Sequence, residues 1–542
     1  MNERKGSIMY DIGIDLGTSA VKLLLLSDEG QVVRTVSRSY PLSFPQPGWS
    51  EQNPEDWWSA IVDGMPELLE GVDRVGAIGV AGQMHGLVAL DADDHVLRPA
   101  ILWNDGRTAE ETDYLNQQVG TERLQACTGN IAFAGFTAPK LLWMKKNEPD
   151  LFARIHKVLL PKDYINYRLT GVFATDYSDA AGMLLLDVAG KCWSEEMLAI
   201  CGLTDSQMPA LHESSDIIGS VLADVAAQLG LPGHETLHLQ NESGDSGSPD
   251  GEAAAGSQPD NTNPDCEAAA ASQAGNNGHY VSVVAGAGDN AAAAVGTGCL
   301  HEGQCNLSLG TSGTIFLPCE SFRMDPTGAT HAFAHAAGNY HLMGCMLSAA
   351  SCLKWWVEEI CESTDYEGLQ ASINPDNLGK NHVFFLPYLM GERAPLNDPY
   401  ARGAFAGMRM DTTRAEMTQA VLEGVAFAFR DMAESARALG ITINHSTLCG
   451  GGAKSDVWKT ILANVLNVRL DLLEEEQGPG LGAAMLAARG RGRYASLDEA
   501  ADQIVKFCGS ISPDPELTAC YEERYQVFRK IYPAMKELYR AM

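Results

Sequence analysis

The tetrapeptide Leu-Gly-Thr-Ser occurs twice in this chain, at residues 16–19 and 309–312, and each copy lies between two apolar segments. This pattern predicts two hairpins, each made of a strand, a tight turn and a second strand. Glycine lets a backbone approach a phosphate closely, and Thr and Ser add hydroxyl groups beside the main-chain amides. The repeat therefore predicts a duplicated domain whose halves hold a nucleotide polyphosphate in a cleft. The predicted phosphate contacts are Gly17, Thr18, Ser19, Gly310, Thr311 and Ser312.

An aspartate precedes only the first of these turns: Asp15 stands there, and Ser308 holds the matching position before the second turn. A carboxylate without a partner is costly inside an apolar strand. A buried lysine could pair with it, but the adjoining turn favours a Mg²⁺ ion, held directly or through water beside the phosphates. Asp15 is therefore a candidate metal-associated residue.

A third glycine turn follows at residues 450–456, with the sequence GGGAKSD. A strand, three glycines and a helix can expose bare backbone to a nucleoside, although the same residues also suit an ordinary tight turn. The Walker pattern GxxxxGK[ST] does not occur in the sequence, so the chain is not a P-loop protein. The predicted nucleotide contacts here are Gly451, Gly452, Ala453 and, in the following helix, Asn464, although a lone Asn is also common on a surface.

Asp289 lies in the segment GAGDNAAAAVG, where a strand gives way to a helix. One interpretation is a helix N-cap, for which Asp is favoured. The other is a general base at the mouth of a cleft, which takes a proton from a hydroxyl nucleophile. The glycines on both sides of Ala287 leave room for a ligand and favour the base.

Two further segments, AGQMHGLVAL and ILWNDGRTAEE, place polar groups among apolar and glycine residues. Hydroxyl-rich ligands need such donors and acceptors together with flat apolar surfaces. The pattern predicts a polyol or sugar site. Its candidate residues are Gln83, Met84, His85, Trp103, Asn104, Asp105 and Arg107, with Asp289 and Asn290 beside them.

Apolar runs alternate with helical patterns along the chain, which indicates an α/β protein. Amphipathic helices are predicted at residues 54–70, 411–439 and, at the end of the chain, 513–540. Residues 234–278 differ: they contain eight acidic residues, no Lys or Arg, and mostly Gly, Ser, Pro, Asn and Ala. This composition predicts a disordered surface insertion.

The formal net charge is −32, from 38 Lys and Arg against 70 Asp and Glu. So acidic a surface argues against nucleic-acid and anionic-membrane partners. The 13 cysteines show no metal-binding spacing, and the first residues lack the apolar core of a signal peptide. We therefore expect a soluble cytoplasmic protein with reduced thiols.

These motifs resemble the FGGY carbohydrate kinases over roughly residues 8–235 and 279–535. The two family signatures are matched by GFTAPKLLWMKKN at residues 135–147 and by GAFAGMRMDTTRAEMTQAVLEGVAF at residues 403–427. Further matching pieces are GIDLGTS, WSEQNPEDWW, GQMHG, RPAILWNDGR, LLPKDY, SDAAGM, LSLGTSG, MLSAASCL and FLPYLMGERAP.

The resemblance implies an α/β actin-like ATPase (ribonuclease H-like) fold with two duplicated domains flanking a cleft. It assigns the sugar to residues 8–300 and the nucleotide to residues 301–542. It also implies transfer of the γ-phosphoryl group of ATP, with Mg²⁺, to a ketopentose. The Gln-Met-His and Trp-Asn-Asp-Gly-Arg pieces are typical of family members that phosphorylate D-xylulose.

By position, the resemblance makes Asp289 the general base and Asp15 the Mg²⁺-associated carboxylate. It gives Met84 and His85 contacts with the sugar, and it places Thr18, Thr311 and residues 450–453 against the nucleotide. Members of the family often form homodimers, which extends that expectation to this chain.

Three alternatives remain open. A kinase for ribulose, a hexulose or a sugar acid would share all these motifs. A sugar sensor without activity should have lost Asp15 or Asp289, and both are present. A chaperone-like ATPase would need a separate peptide-binding domain, for which no ordered segment of sufficient length remains.

Overall fold

The computed structural model describes residues 8–232 and 280–542, and two seven-stranded sheets form its framework. The predicted insertion at residues 234–278 lies outside the described residues. We call the two sheets the N-terminal sheet and the C-terminal sheet.

The N-terminal sheet has the first hairpin at its centre. Six strands lie side by side, and a seventh, Ala287–Gly288, pairs in parallel with the end of Val75–Gly82. Their order is Val32–Ser39, Ala20–Ser27, Tyr10–Leu16, Val75–Gly82, Ser282–Val284 and Ile217–Ser220.

The C-terminal sheet repeats this arrangement around the second hairpin. Its order is His331–Ala334, Tyr340–Met346, Gly313–Cys319, Gly303–Leu309, Ile443–Cys449, Arg469–Leu473 and Phe507–Ile511. From Tyr340–Met346 to Phe507–Ile511 the six strands correspond in order and direction to those of the N-terminal sheet. The predicted duplication is thus confirmed.

Both Leu-Gly-Thr-Ser segments form the turns of antiparallel hairpins, as predicted. Leu16 pairs with Val21 across residues 16–19, which we call the first turn. Leu309 pairs with Gly313 across residues 309–312, the second turn. In each sheet the strand that enters the turn also pairs in parallel with a strand on its other side, so both turns lie at the carboxyl edge of a parallel pair.

The predicted helices are present, and their ends follow local capping chemistry. Pro54–Leu68 begins after Asn53, whose side chain accepts a hydrogen bond from the amide of Glu55. Arg414–Ala438 begins after Thr413, which forms a capping box with Glu416. The predicted terminal helix spans Pro515–Ala541.

The remaining elements complete the described chain. The other α-helices are Ala109–Asp113, Thr121–Thr128, Thr137–Asn147, Pro149–Phe152, Pro161–Thr170, Tyr177–Ala180, Glu195–Cys201, Ala223–Leu229, Asp289–Gly296, Ala350–Trp355, Tyr366–Ala371, Asp456–Leu466, Pro479–Gly490 and Leu497–Ile504. Tyr114–Gly120 and Trp356–Ile360 are π-helical, and Ala181–Met183, Asp205–Gln207, Pro375–Asn377 and Gly451–Lys454 are 3₁₀-helical. Five short strand pairs are Glu51–Gln52 with Ala100–Ile101, Val88–Leu90 with Lys157–Leu159, Ala174–Asp176 with Ala210–His212, Leu186–Asp187 with Cys192–Trp193, and Phe384–Leu386 with Ala404–Ala406.

One helix joins the two halves. Pro479–Gly490, which we call the contact helix, lies in sequence between the last two strands of the C-terminal sheet but packs on the N-terminal sheet. A Cβ placed on Gly13 would lie 1.9 Å from the carbonyl oxygen of Gly480, and one on Gly79 would lie 2.1 Å from that of Ala483. The helix and the sheet therefore meet backbone to backbone, at a distance that only glycine permits.

Within residues 8–232 and 280–542, no helix is both long and apolar enough to cross a bilayer. The 12 cysteines in these ranges are all free thiols. The domain boundary between residues 300 and 301 remains a prediction.

We expect Gly13→Ala to lower the free energy of unfolding by about 3 kcal/mol, because the new methyl group would force the contact helix off the sheet. Urea denaturation of the full chain would measure the loss. Gly509→Ala is the matched control, since nothing lies within 4 Å of a Cβ there. Equal midpoints for the two variants would contradict the packing argument.

Candidate active site

Asp15 and Asp289 meet at one edge of the N-terminal sheet. Asp15 pairs in register with Ala81, and Ala81 pairs with Ala287 on its other side. The three strands are parallel, and Asp289 follows Ala287 by two residues. The register therefore brings both carboxylates to the same carboxyl end of neighbouring strands.

Asp289 is the first residue of the helix Asp289–Gly296, and Gly288 occupies the cap position. Its Oδ1 accepts hydrogen bonds from the amide of Asn290 at 2.7 Å and from the side chain of Asn290 at 2.8 Å. The N-cap interpretation of Asp289 is therefore wrong. The carboxylate is instead oriented by the residue that follows it.

The two carboxyl groups influence each other's protonation. Burial raises the pKa of Asp289 to about 7, and the negative charge of Asp15 adds to this shift. Burial likewise raises the pKa of Asp15 to about 6, opposed by the charge of Lys22. Each group has part of its surface exposed, yet the protein surrounds most of it. A cation between the nucleotide and Asp15 would relieve this repulsion.

Lys22 is the lysine that the sequence left open as a partner of Asp15. It lies directly across the hairpin from Asp15, but its Nζ donates to the carbonyl oxygen of Gln477 at 3.0 Å. The Asp15 carboxylate accepts no hydrogen bond from the residues that the structure describes. The N-terminal end of the contact helix adjoins it, because a Cβ on Gly480 would lie 3.6 Å from that of Asp15.

Met84 packs against the turn that carries Asp289, and His85 packs against Gly182, which Met84 also contacts. A Cβ on Gly288 would lie 2.9 Å from Cγ of Met84, and one on Gly182 would lie 2.5 Å from Nδ1 of His85. The side chain of Asn290 reaches the Met84 sulfur at 3.9 Å. The predicted sugar residues Met84 and Asn290 therefore lie beside the predicted base, and His85 adjoins Met84 at Gly182.

His85 is held in an uncommon backbone conformation, with φ of 71°. Its carbonyl oxygen accepts hydrogen bonds from Lys140 at 2.7 Å and from Thr137 at 3.1 Å. Its Nδ1 lies 2.7 Å from the carbonyl oxygen of Gly182 and must be the donor, because a carbonyl only accepts. Burial, reinforced by Lys140 and Arg393, lowers the pKa of His85 to about 3, so Nε2 of the neutral ring is an acceptor.

Gln83 and Trp103 hold the first turn. The Gln83 amide donates to Gln52 at 3.0 Å and to the carbonyl oxygen of Gly17 at 3.4 Å. The Trp103 indole donates to the hydroxyl of Thr18 at 2.9 Å. The side-chain N–H groups of both residues donate hydrogen bonds within the protein. The geometry therefore indicates that Gln83 and Trp103 stabilise the first turn. Ser19 is exposed at the same turn.

Asn104 is exposed, and its side chain makes no hydrogen bond to the described residues. Asp105 and Arg107, by contrast, form a buried clamp. The Arg107 guanidinium lies 3.7 Å from the centre of the Trp49 ring and 2.7 Å from the Asp105 carboxylate. The sequence suggested Asp105 and Arg107 as sugar contacts. In the structure the two side chains instead pair with each other and stabilise the loop that carries Trp103.

The third turn lies directly on the second. A Cβ on Gly450 would lie 2.6 Å from the carbonyl carbon of Leu309, and one on Gly452 would lie 2.4 Å from Cγ of Leu309. Gly451 has nothing within 4 Å of such an atom. The two turns thus form one surface, on which Gly451, Ala453, Gly310 and Ser312 present backbone and hydroxyl groups.

Asn464 is the exception among the predicted nucleotide contacts. It is buried, its amide donates to the carbonyl oxygen of Thr460 at 2.8 Å, and its Oδ1 accepts from the amide of Asp514 at 2.7 Å. Thr518 donates to the same oxygen at 3.3 Å. These contacts fasten the helix Asp456–Leu466 to the terminal helix, so the nucleotide-contact prediction for Asn464 needs correction.

Sequence reasoning missed a buried ionic cluster behind the base. The Lys162 ammonium lies 2.7 Å from Asp163 and 3.1 Å from Asp176, and all three side chains are fully buried. Asp176 accepts a hydrogen bond from Ser178 at 2.5 Å, and the Ser178 hydroxyl accepts one from the amide of Gly288 at 3.2 Å. The cluster thereby fixes the residue before Asp289. The motifs LLPKDY and SDAAGM contain Lys162, Asp163 and Ser178 and were the sequence signal from which this cluster could have been predicted.

Comparison with known proteins places this geometry in a family. The model for the N-terminal domain of the FGGY family of carbohydrate kinases matches residues 10–235, and the C-terminal model matches residues 305–491. The chain is 42% identical to the xylulose kinase of Escherichia coli, over 98% of this chain and 100% of that protein.

Solved structures agree. A structure described as a xyloylose kinase from Brucella ovis matches with a TM-score of 0.85 and 38% identity, covering 97% of this chain and 99% of the other. Gluconate kinase from Lactobacillus acidophilus matches with a TM-score of 0.84 and 26% identity, covering 98% of both chains. The fold is the duplicated α/β actin-like ATPase fold that the sequence predicted, and the chain belongs to the FGGY family of carbohydrate kinases.

Proposed function

We propose that this protein transfers the γ-phosphoryl group of ATP to the O5 hydroxyl of D-xylulose and produces D-xylulose 5-phosphate. The observation that carries the proposal is the Asp289 carboxylate, which lies at the same sheet edge as Asp15 with Met84 packed against its turn. The full-length similarity to the xylulose kinases of Escherichia coli and Brucella ovis supports the choice of sugar.

In the proposed step, a bond forms between O5 of the sugar and the γ-phosphorus. The bond from that phosphorus to the β,γ-bridging oxygen breaks, and its electron pair leaves with ADP. Asp289 takes the hydroxyl proton as the new bond forms. The acceptor Nε2 of His85 can orient a sugar hydroxyl, and closure of the two halves would exclude competing water.

The residues present fit a divalent cation at Asp15. Its carboxylate adjoins the first turn and accepts no hydrogen bond from the described residues, and burial raises its pKa to about 6 against the opposing charge of Lys22. Mg²⁺ bound there would neutralise part of the charge on the nucleotide phosphates. The cytoplasmic location and the homodimer expected from the sequence remain predictions.

A kinase for a sugar acid is the second candidate. The similarity to the gluconate kinase from Lactobacillus acidophilus favours it, because that match covers both chains almost completely. A panel of xylulose, ribulose, fructose, gluconate and glycerol with MgATP would decide, with kcat/KM as the measure. We expect xylulose to give the highest value, and a higher value for gluconate would overturn the proposal.

We expect Asp289→Asn to lower kcat by about 10²- to 10⁴-fold, because the amide cannot accept the hydroxyl proton. Coupled detection of ADP would measure turnover, and calorimetric titration with ATP should show unchanged nucleotide affinity. Asp63→Asn, an exposed carboxylate paired with Arg38, is the matched control. Turnover near that of the unaltered protein in Asp289→Asn would remove this residue from the mechanism.

The pH dependence follows from the carboxylate pair. The ionised form of Asp289 is the active base, and its pKa is raised to about 7, so kcat/KM should fall below pH 7 and level off above it. Asp15→Asn removes the neighbouring negative charge and should move the Asp289 titration to lower pH. Carbon-13 NMR of the carboxyl groups in the metal-free protein would measure this shift, and an upward or absent shift would contradict the coupling.

A further inference from the structure

The motif Gly-Glu-Arg-Ala-Pro at residues 391–395 has no role in the site described so far. It lies on the connection between the strands Phe384–Leu386 and Ala404–Ala406 of the C-terminal half. The Arg393 side chain is partly buried, and its guanidinium makes no hydrogen bond or ion pair with the described residues. A guanidinium withdrawn from water is stabilised by an anion, and a phosphoryl group is a fitting one.

The backbone of Arg393 is held firmly. Its amide donates to Oε1 of the buried Glu392 at 2.8 Å, and the same oxygen accepts from the amide of Leu347 at 2.9 Å. The amide of Ala394 donates to the carbonyl oxygen of Cys345 at 3.0 Å. Arg393 is therefore attached to the end of the strand Tyr340–Met346.

The same stretch of chain is attached to the second turn. The amide of Ala349 donates to the carbonyl oxygen of Thr311 at 3.0 Å, and the Ser351 hydroxyl donates to that oxygen at 2.8 Å. The amide of Ala350 donates to the carbonyl oxygen of Gly310 at 2.8 Å. Residues 345–351 thus connect Arg393 directly to a predicted phosphate-binding turn.

The guanidinium itself faces the sugar-binding half. Its central carbon lies 5.3 Å from the centre of the Phe133 ring, Phe133 lies 5.5 Å from Phe136, and Phe136 lies 4.8 Å from His85. Burial is the largest cause of the pKa shifts of His85 and of the Cys345 thiol. The charge of Arg393 lowers both pKa values, and the charge of Asp289 raises that of Cys345. Arg393 therefore extends from the nucleotide half toward the sugar site and the base.

The negative charges at the site favour a further cation. Asp15 and Asp289 are both acidic, and the transferred phosphoryl group carries further negative charge. The nearby buried ammonium groups are committed elsewhere: Lys140 binds the carbonyl oxygens of His85 and Gly135, and Lys162 binds carboxylates. The Arg393 guanidinium remains available.

We propose that Arg393 is a catalytic residue whose guanidinium donates hydrogen bonds to the non-bridging oxygens of the phosphoryl group during transfer. The inference rests on the proposed function, since it needs a phosphoryl group to pass from ATP to a sugar hydroxyl. Arg393 keeps its protons throughout, while Asp289 receives the hydroxyl proton and ADP leaves with the electron pair of the broken bond. The same contact should stabilise the phosphorylated sugar after transfer.

Arg393→Met tests the inference, because methionine keeps an apolar contact with Phe133 and removes the charge. We expect kcat to fall about 10³-fold, within the range of other arginines that stabilise phosphoryl transfer. The dissociation constant of xylulose, measured by calorimetry without nucleotide, should change by less than about threefold. That of xylulose 5-phosphate should rise about tenfold or more, since a charge-assisted hydrogen bond is lost. Arg393→Lys should recover part of kcat.

Arg409→Met is the matched control, an exposed arginine in the same half that should leave every value unchanged. Thermal denaturation of both variants checks that they fold. Retained turnover and product affinity in Arg393→Met would overturn the inference. A loss confined to the affinity for xylulose would also overturn it, because Arg393 would then bind the sugar alone.

These outcomes are separable from a failure of the proposed function. The variants are assayed with whichever sugar gives the unaltered protein its highest kcat/KM and with the corresponding sugar phosphate. If that sugar is gluconate, the choice of xylulose fails while the predicted effect on kcat stands. If Arg393 instead binds the gluconate carboxylate, Arg393→Met lowers the affinity for gluconate and leaves kcat unchanged. That result would overturn the inference.

Discussion

The close contact between the contact helix and the N-terminal sheet determines how the two halves of this protein are arranged. Gly13 and Gly79 lie in the two central strands, and a side chain on either would collide with the backbone of the helix. Because the helix belongs to the C-terminal part of the chain, this contact attaches that part of the chain to the N-terminal sheet. Gly482 and Ala292 make a third such contact, between the contact helix and the helix that carries Asp289.

Much of this framework could be predicted from the sequence because its signals are local. The apolar runs around each Leu-Gly-Thr-Ser turn specify a hairpin without help from the rest of the chain, and the caps at Asn53 and Thr413 specify where two helices begin. Asp15 and Asp289 could also be predicted as site residues, since a carboxylate at the end of an apolar strand is unusual. The repulsion between the two carboxylates could not be predicted, because it depends on the register of three strands that are distant in sequence.

The predictions that needed correction share one cause. A polar side chain in a motif that suggests ligand binding can instead form a hydrogen bond or ion pair with another part of the protein, and the sequence does not show that contact. Asn464 binds the start of the terminal helix, and Arg107 lies between aromatic rings and Asp105. Lys140 and Lys162 were missed for the converse reason: fully buried lysines are rare, and composition gives no sign of them. Here Lys140 binds the carbonyl oxygens of His85 and Gly135, and Lys162 binds the carboxylates of Asp163 and Asp176.

The duplication covers six strands of each sheet but does not extend to the chemistry, since Asp15 in one hairpin corresponds to Ser308 in the other. Two identical halves would present the same charge to both ends of a polyphosphate and could not distinguish a donor from an acceptor. One carboxylate in place of a hydroxyl breaks that symmetry. The half that carries Asp15 is therefore the half with a carboxylate available to a cation. A single difference at a mirrored position thus distinguishes the two halves of the site chemically.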